Sequence, residues 1–422
     1  MGKGTHFLGQ PILNQLLNCL NKQKILQISR DKGGEEYVKS FTAWCHLTVM
    51  LYAVIMRFDS LREITAATMM EWRKLVHVGI KDLPRRSTLA DANARRSHEI
   101  FGDIYRMLYL TYKEKLSADS PSGKVPKWMK KLQIIDSTTI SLFSNLIFKG
   151  VGRNPKTGKK KGGMKVHTCI HGNEGVPCDI EFTSAATHDH FMLCPGKLKS
   201  GDLLAIDRAY IDYAKFEELT QRGVIYVTKM KQNLTYEVTK STCYMNSCGQ
   251  MQWREEFVVF RKVVRSKNEK TGKDEKTTIE HHARIITYVD EKKNGKAKLI
   301  RLLTNDLDME YEEIVAIYRA RWQIESLFKQ IKQNFPLRYF YGESANAIKI
   351  QVWVTLIANL LITLLKKSVG RSWSFSGLAT IVRIMLMYYI DVKKFLENPE
   401  KDWEESLAAM IEEPPEVAES TK

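Results

Sequence analysis

Tyr318, Arg321, Glu325 and Lys332 lie 3, 4 and 7 residues apart in the run YRARWQIESLFKQIK. A helix turns about 100° per residue, so relative to Tyr318 the other three fall at about −60°, −20° and −40°. If the run is a single helix, one narrow stripe carries a phenol, two cations and a carboxylate. That set suits a metal ion held beside a phosphate. The plain alternative is a solvated face with an Arg321–Glu325 pair at i,i+4.

Two further carboxylates point the same way. Asp136 follows the apolar pair Ile134–Ile135 in LQIIDSTTI, and Asp207 follows Leu203–Ile206 in DLLAIDRAY. Short apolar runs of this kind read as buried strands. A carboxylate at the end of such a strand is costly unless it is paired, hydrogen-bonded or bound to metal. Two strand ends and one helix could bring Asp136, Asp207 and Glu325 together as an all-oxygen site for Mg²⁺. Each Asp could instead cap the turn that follows it.

In this order the segments resemble the bacterial insertion-sequence transposases of the DDE type. More narrowly, they resemble the insertion sequence four family, with its Tyr-x2-Arg-x3-Glu-x6-Lys signature. Tyr318, Arg321, Glu325 and Lys332 match that signature without a gap. IIDST and AIDRAY are similar to the segments that carry the family's aspartates, and YVTKMKQN is similar to the basic strand after the second one. The resemblance runs from about His6 to about Ile381.

The resemblance implies a ribonuclease-H-like catalytic core, a mixed sheet flanked by helices, with an all-β insertion and an N-terminal α-helical domain. It implies that Asp136, Asp207 and Glu325 are both catalytic residues and metal ligands for two Mg²⁺ per site, with Mn²⁺ able to substitute. It further implies cleavage at transposon ends and transfer of the freed 3′-OH into target DNA. Tyr318, Arg321 and Lys332 would then hold phosphates, Arg321 by its planar fork and Lys332 as a point charge. Both ends must be cut together, so a homodimer at the paired ends is expected. Relatives flip a base against a tryptophan in the insertion, where this chain has only Trp253.

Composition agrees. The 422 residues exceed one ordinary core, so two or three domains are expected. The net charge of +17 favours a polyanionic partner, DNA above all, although an anionic membrane surface would attract the same charge. The seven cysteines are odd in number and form no C-x2-C pair, which disfavours a disulfide framework and fits a reducing bacterial cytoplasm. The N-terminus MGKGTHFLGQ lacks the continuous apolar core of a secretory signal. The apolar stretch Val352–Leu365, interrupted by Thr355, Asn359 and Thr363, reads as a buried core helix rather than a membrane span. The expected location is therefore cytoplasmic, at the nucleoid.

The chain divides into residues 1–120, a helical DNA-binding domain; 121–233, the first part of the core; 234–304, the all-β insertion; 305–390, the second part with C-terminal helices; and 391–422, a partly disordered tail. Phe41–Phe58 reads as a core helix. Thr88 and Asp91 have capping-box spacing at the start of another, ringed by Arg85, Arg86, Arg95 and Arg96, which could face DNA or rim a bundle. SADSPSGKVP (117–126) reads as a linker. From Lys149 to Lys165 there are seven cations and no acid, a loop suited to clamping phosphates close to Asp136. A hairpin follows over 164–185, with Asp189 near the cleft. Lys229 and Lys231 would share one side of a strand, and with Lys165 and Arg208 they complete the expected DNA contacts. Asn294–Gly295 marks a hairpin turn between the last two insertion strands, and Ser266–Lys276 reads as a charged loop. Two other readings remain open at this point: a nuclease that cuts without joining, and a transposase-derived DNA-binding protein that no longer cuts.

Overall fold

The computed structural model describes residues 9–117, 126–141, 163–267, 274–291 and 297–412. Most of the basic run 149–165, the linker 118–125, the Asn294–Gly295 turn, the centre of the charged loop (268–273) and the tail 413–422 lie outside the described residues. The chain forms two compact units, residues 1–116 with 329–422, and residues 117–328.

The first unit is helical. Its N-terminal part comprises α1 (Ile12–Leu17), α2 (Lys22–Asp31), α3 (Ala43–Met56), α4 (Leu61–Met70), α5 (Trp72–Leu75), α6 (Arg86–Arg95) and α7 (His98–Ser117). In the second unit come α8 (Tyr213–Gln221), α9 (Tyr311–Ala320) and α10 (Trp322–Asn334), the last running across the boundary; α11 (Ala345–Ser368), α12 (Phe375–Met385), α13 (Val392–Glu397) and α14 (Pro399–Glu412) return to the first. α3 is apolar on every side and buried from Ala43 to Ile55, so it must be surrounded rather than lie on a surface. α11 meets it along the unit's core. α11 is long and apolar enough to cross a membrane, but it is buried within the protein. Thr42 caps α3 by accepting from the Cys45 N–H, and Ser344 caps α11 by accepting from the Ala347 N–H. α6 forms where expected but starts at Arg86 behind an uncapped Arg85. Thr88 therefore lies inside the first turn and does not cap the helix.

The second unit is built on one nine-stranded sheet: β1 (Leu132–Ser141), β2 (Gly163–His171), β3 (Pro177–Ser184), β4 (Leu203–Ile206), β5 (Ile225–Lys229), β6 (Glu237–Met245), β7 (Met251–Lys267), β8 (Asp274–Glu291) and β9 (Ala297–Thr304), in the order β3-β2-β1-β4-β5-β9-β8-β7-β6. β2 runs antiparallel to β1 and β3, while β1, β4 and β5 are parallel. The 3-2-1-4-5 half is a ribonuclease-H-like sheet.

The segment between Asp207 and Glu325 is all-β over β6–β9, yet it continues the same sheet. β9 pairs antiparallel with the edge of β5. Phe260, Ile285 and Leu303 from these added strands share a core with Leu204, Ile206, Phe216 and Tyr226. Of the charged stretch expected to be a loop, the described residues at either side are strand, with β7 and β8 pairing as far as Lys267 and Asp274.

α8 covers the sheet face bearing Leu204, Ile206 and Tyr226, with Phe216 stacked on Tyr226 at 4.0 Å between ring centroids. Asp212 caps this helix, and Gly223 follows it with φ +71°, the left-handed conformation that costs glycine least. α9 packs on β4 and β5, and all four residues of β4 are buried. Coverage of both faces explains the continuous apolar run of β4.

Candidate active site

β1 and β4 run in parallel with Ile135 opposite Ile206. Asp136 and Asp207 are therefore the next residues in register, at the carboxyl ends of two adjacent parallel strands. That is the position where open α/β sheets bind ligands. β4 stops there, and Asp207 opens a short 3₁₀ turn, its carboxylate accepting from the Ala209 N–H at 3.4 Å. The capping role and the site position thus fall on the same residue. β1 continues to Ser141 along β2, so Asp136 stays within a paired strand, and its Oδ1 accepts from the Ser137 N–H at 2.7 Å.

The helical run does not form one continuous helix. α9 ends at Ala320 and α10 begins at Trp322, with Arg321 at the junction. There the Arg321 N–H reaches Tyr318 O and the Ile324 N–H reaches Arg321 O, both at 3.2 Å. These are i→i+3 bonds, which tighten the turn and shift the phase of everything beyond it. The single stripe is corrected accordingly. Tyr318 sits at the end of α9, Arg321 in the break and Glu325 in the first turn of α10. Lys332, exposed, follows on α10 past the boundary of the catalytic unit.

Arg321 occupies the centre of the constellation. Its Nη2 donates to Glu325 Oε1 at 2.6 Å and its Nη1 lies 3.4 Å from Asp136 Oδ2. Its side chain is 8% exposed. The guanidinium lies between the rings of Tyr318 and Trp322, 5.6 and 5.8 Å from their centroids. The i,i+4 pair expected as the plain alternative therefore exists, and it is part of the site. Among the described residues no three His, Cys, Asp or Glu side chains come close enough together to hold a metal ion; in this arrangement the guanidinium stands between two of the carboxylates.

Burial raises the Asp136 carboxyl to about 6, against the opposing pull of the Ser137 N–H and Arg321, while the charges of Asp207 and Glu325 push it up further. Burial also works against the Arg321 cation, but the Glu325 hydrogen bond and the neighbouring Tyr318, Glu325 and Asp136 outweigh it and raise the pKa. Three carboxylates thus share the field of one buried guanidinium. The cluster's donors are all carboxylate oxygens, which is what a hard divalent cation prefers.

The expected DNA contacts divide. Lys229 ends β5, half-buried, and burial lowers its pKa, with Lys298, Arg208 and Arg321 lowering it further and Asp207 opposing. It therefore shares the field of the site. Lys231 lies two residues past the end of β5, so strand alternation does not put it on the same side as Lys229. Arg208 is exposed beside Asp207. Lys165 is engaged within the protein: its Nζ lies 3.1 Å from Asp189 Oδ1 and 2.8 Å from Thr187 O. Arg85, Arg86 and Arg95 are exposed, whereas Arg96 is buried and hydrogen-bonded to backbone carbonyls. Trp253 has no free face, stacked by Tyr244 at 3.9 Å and by Tyr311 at 4.5 Å, which leaves no place for a flipped base.

Sequence reasoning missed Ser137. Its Oγ donates to Asp189 Oδ1 at 2.7 Å, and the same carboxylate oxygen lies 3.7 Å from His167 Nδ1. This brace holds the strand just beyond Asp136. Nothing local in the sequence joins residues 52 positions apart.

Residues 127–361 match the family model described as the transposase DDE domain, and residues 8–81 match a domain of unknown function. The chain belongs to the DDE transposase family. It is a transposase, an enzyme that cuts and transfers DNA. Among its relatives is a Geobacillus stearothermophilus protein assigned as the transposase of insertion sequence element IS5377, 23% identical over 82% of this chain and 84% of the relative. Another, y4zB of Sinorhizobium fredii, also assigned as a transposase, is 26% identical over 66% of this chain and 71% of the relative. The Bacillus thuringiensis transposase of insertion sequence element IS231E is 22% identical over 57% of each chain. Among solved structures, the piggyBac transposase in a synaptic complex with hairpin DNA matches with a TM-score of 0.44 and 9% identity, over 97% of this chain and 87% of that one. Transposases of this family generally use a divalent metal.

Proposed function

We propose that this transposase frees an insertion sequence by hydrolysing a phosphodiester bond at each end and then joins the freed 3′-OH to target DNA. The observation that carries the reading is the adjacency of Asp136 and Asp207 at two parallel strand ends, with Glu325 in electrostatic reach of Asp136. These three would hold Mg²⁺ or Mn²⁺, and a set of three carboxylates facing one guanidinium fits that role. When bound, such ions activate the attacking oxygen and stabilise the leaving one.

The protein's own part is positional. Tyr318 and Arg321 bind a phosphate beside the scissile bond, and Lys229 adds a third donor. In the first step a water oxygen bonds to phosphorus, the P–O3′ bond breaks, and the 3′ oxygen leaves as a hydroxyl. In the second step that hydroxyl attacks a target phosphorus and displaces a target 3′ oxygen. Two copies of the chain act at paired ends. Lys332, Lys231, Arg208 and the basic run 149–165 contribute backbone contacts, which give affinity without sequence choice.

The test is cleavage of a plasmid bearing the gene's own flanking DNA, in Mg²⁺, by the native protein and Glu325→Gln in parallel. Glutamine keeps size and hydrogen bonding but removes the charge. Specific breaks at the element's edges should fall at least about 10²–10³-fold in the variant, the loss typical of removing one electrostatic catalytic group. Equal cleavage by both proteins would refute the assignment of Glu325.

A further inference from the structure

Arg321 occupies the place of a counter-ion. Its two terminal nitrogens serve two of the three carboxylates assigned to metal binding, at 2.6 and 3.4 Å. A guanidinium hydrogen-bonded to a carboxylate competes with a divalent ion for its lone pairs, and the two positive charges repel across so short a gap. Yet Arg321 is not fully satisfied: its Nε is buried and finds no acceptor within the protein. A guanidinium that matches phosphate with a planar fork thus keeps one donor in reserve. It is also placed to move. It sits at the α9–α10 break, where the i→i+3 bonds are weaker than those of a regular helix. One of its two aromatic walls, Trp322, is 60% exposed.

We infer that Arg321 is a displaceable counter-ion that couples metal loading to DNA engagement. In the DNA-free enzyme it neutralises Asp136 and Glu325 and opposes entry of a divalent ion. When a DNA end arrives, a phosphate draws the guanidinium away, the two carboxylates are released, and the metal binds more tightly. By linkage, metal must tighten DNA binding by the same factor. Arg321 is thereby a positioning residue twice over, for the phosphate and for the moment at which the ligands become available. This rests on the reading of Asp136, Asp207 and Glu325 as metal ligands.

The experiment measures Mn²⁺ affinity by electron paramagnetic resonance of the free ion. It uses the full chain with and without a pre-cleaved duplex of the gene's flanking DNA, for the native protein, Arg321→Gln, Arg321→Lys and Glu325→Gln. Folding of each variant is verified by its melting transition. DNA should tighten Mn²⁺ binding to the native protein roughly 5–150-fold, the range usual for coupled sites. Arg321→Gln should bind Mn²⁺ tightly without DNA and gain little from it. Arg321→Lys, a single point charge, should fall between. A gain on DNA addition that is as large in Arg321→Gln as in the native protein would overturn the coupling, because it would then come from the DNA charge alone. So would Mn²⁺ binding to Arg321→Gln no tighter than native. If the native protein binds Mn²⁺ no better than Glu325→Gln in every condition, the metal-ligand reading fails and the coupling with it.

Discussion

Each unit of this transposase buries an arginine within a polar cluster, and the two clusters are built to opposite ends. In the helical unit Arg96 donates from Nε to Gly34 O at 3.1 Å and from Nη2 to Phe41 O at 2.9 Å, with Nη1 3.1 Å from His46 Nδ1. The His46 ring is completed by Asn93 Oδ1 at 2.8 Å. Burial, with Arg96 beside it, drops the imidazole to about 3, so it stays neutral. Every nitrogen of the guanidinium has a fixed partner, and the cluster ties α3, α6 and the loop after α2 together. In the catalytic unit Arg321 faces two carboxylates and leaves its Nε unused, while Asp136 is driven up to about 6. The first cluster serves the fold. The second sets three carboxylates against one guanidinium, and on the function proposed above it serves a ligand. Partner count and sign of the residual charge separate structural from functional burial more sharply than burial itself does.

The comparison breaks most decisively at Arg96. Arg96→Ala should cost about 3–5 kcal/mol by leaving buried acceptors unpaired, read as a lower denaturation midpoint with loss of the helical signal. A variant that melts like the native protein would remove the distinction.

Asp136→Asn should act in the other direction. The folded-state value near 6 lies above the ordinary 3.8, so between those pH values the folded state holds the extra proton. Stability from this group is therefore present at low pH and lost as pH rises from about 4 to about 6. In metal-free buffer at pH 7 the asparagine variant should be about 1–2 kcal/mol more stable, with a flatter slope of stability against pH over that window. The His46 cluster has the opposite sign: its depressed value costs stability as pH falls below about 6.5.

Arg321→Gln should cost no more than about 1 kcal/mol when Mg²⁺ is present, because the ion replaces the lost cation; a loss as large as that at Arg96 would place Arg321 with the fold. Smallest of all, Asp91→Asn breaks an exposed pair with Arg95 and should change stability by less than about 0.5 kcal/mol.

Much of the site was legible because its signals are local. Apolar runs ending in Asp136 and Asp207 announce strands, and one strand after another in a parallel sheet brings their ends together. The core helices within 41–58 and 352–365 declare themselves by apolar residues on all sides. What escaped depends on distance or phase. Helical periodicity could not reveal the break at Arg321, since a single i→i+3 turn changes no residue type. The Thr88–Asp91 spacing suggested a cap, yet packing started the helix at Arg86. Arg96 read as a surface cation because charge says nothing of burial when the partners are backbone carbonyls. The Ser137–Asp189 brace, the coverage of both faces of Trp253 and the merging of β6–β9 into the main sheet all rest on contacts between residues far apart in the chain.

The helical unit is assembled from both ends of the polypeptide, with α3 packed on α11 nearly 300 residues later. At about 5–20 residues per second of synthesis, α3 waits roughly 15–60 s for its partner while the whole catalytic sheet is made. A shortened gene product that stops before α11 would leave α3, an apolar rod, covered only on the sides where N-terminal helices such as α2 and α4 meet it. Such a fragment should aggregate or be degraded, so interrupted copies of the gene would leave little folded N-terminal protein.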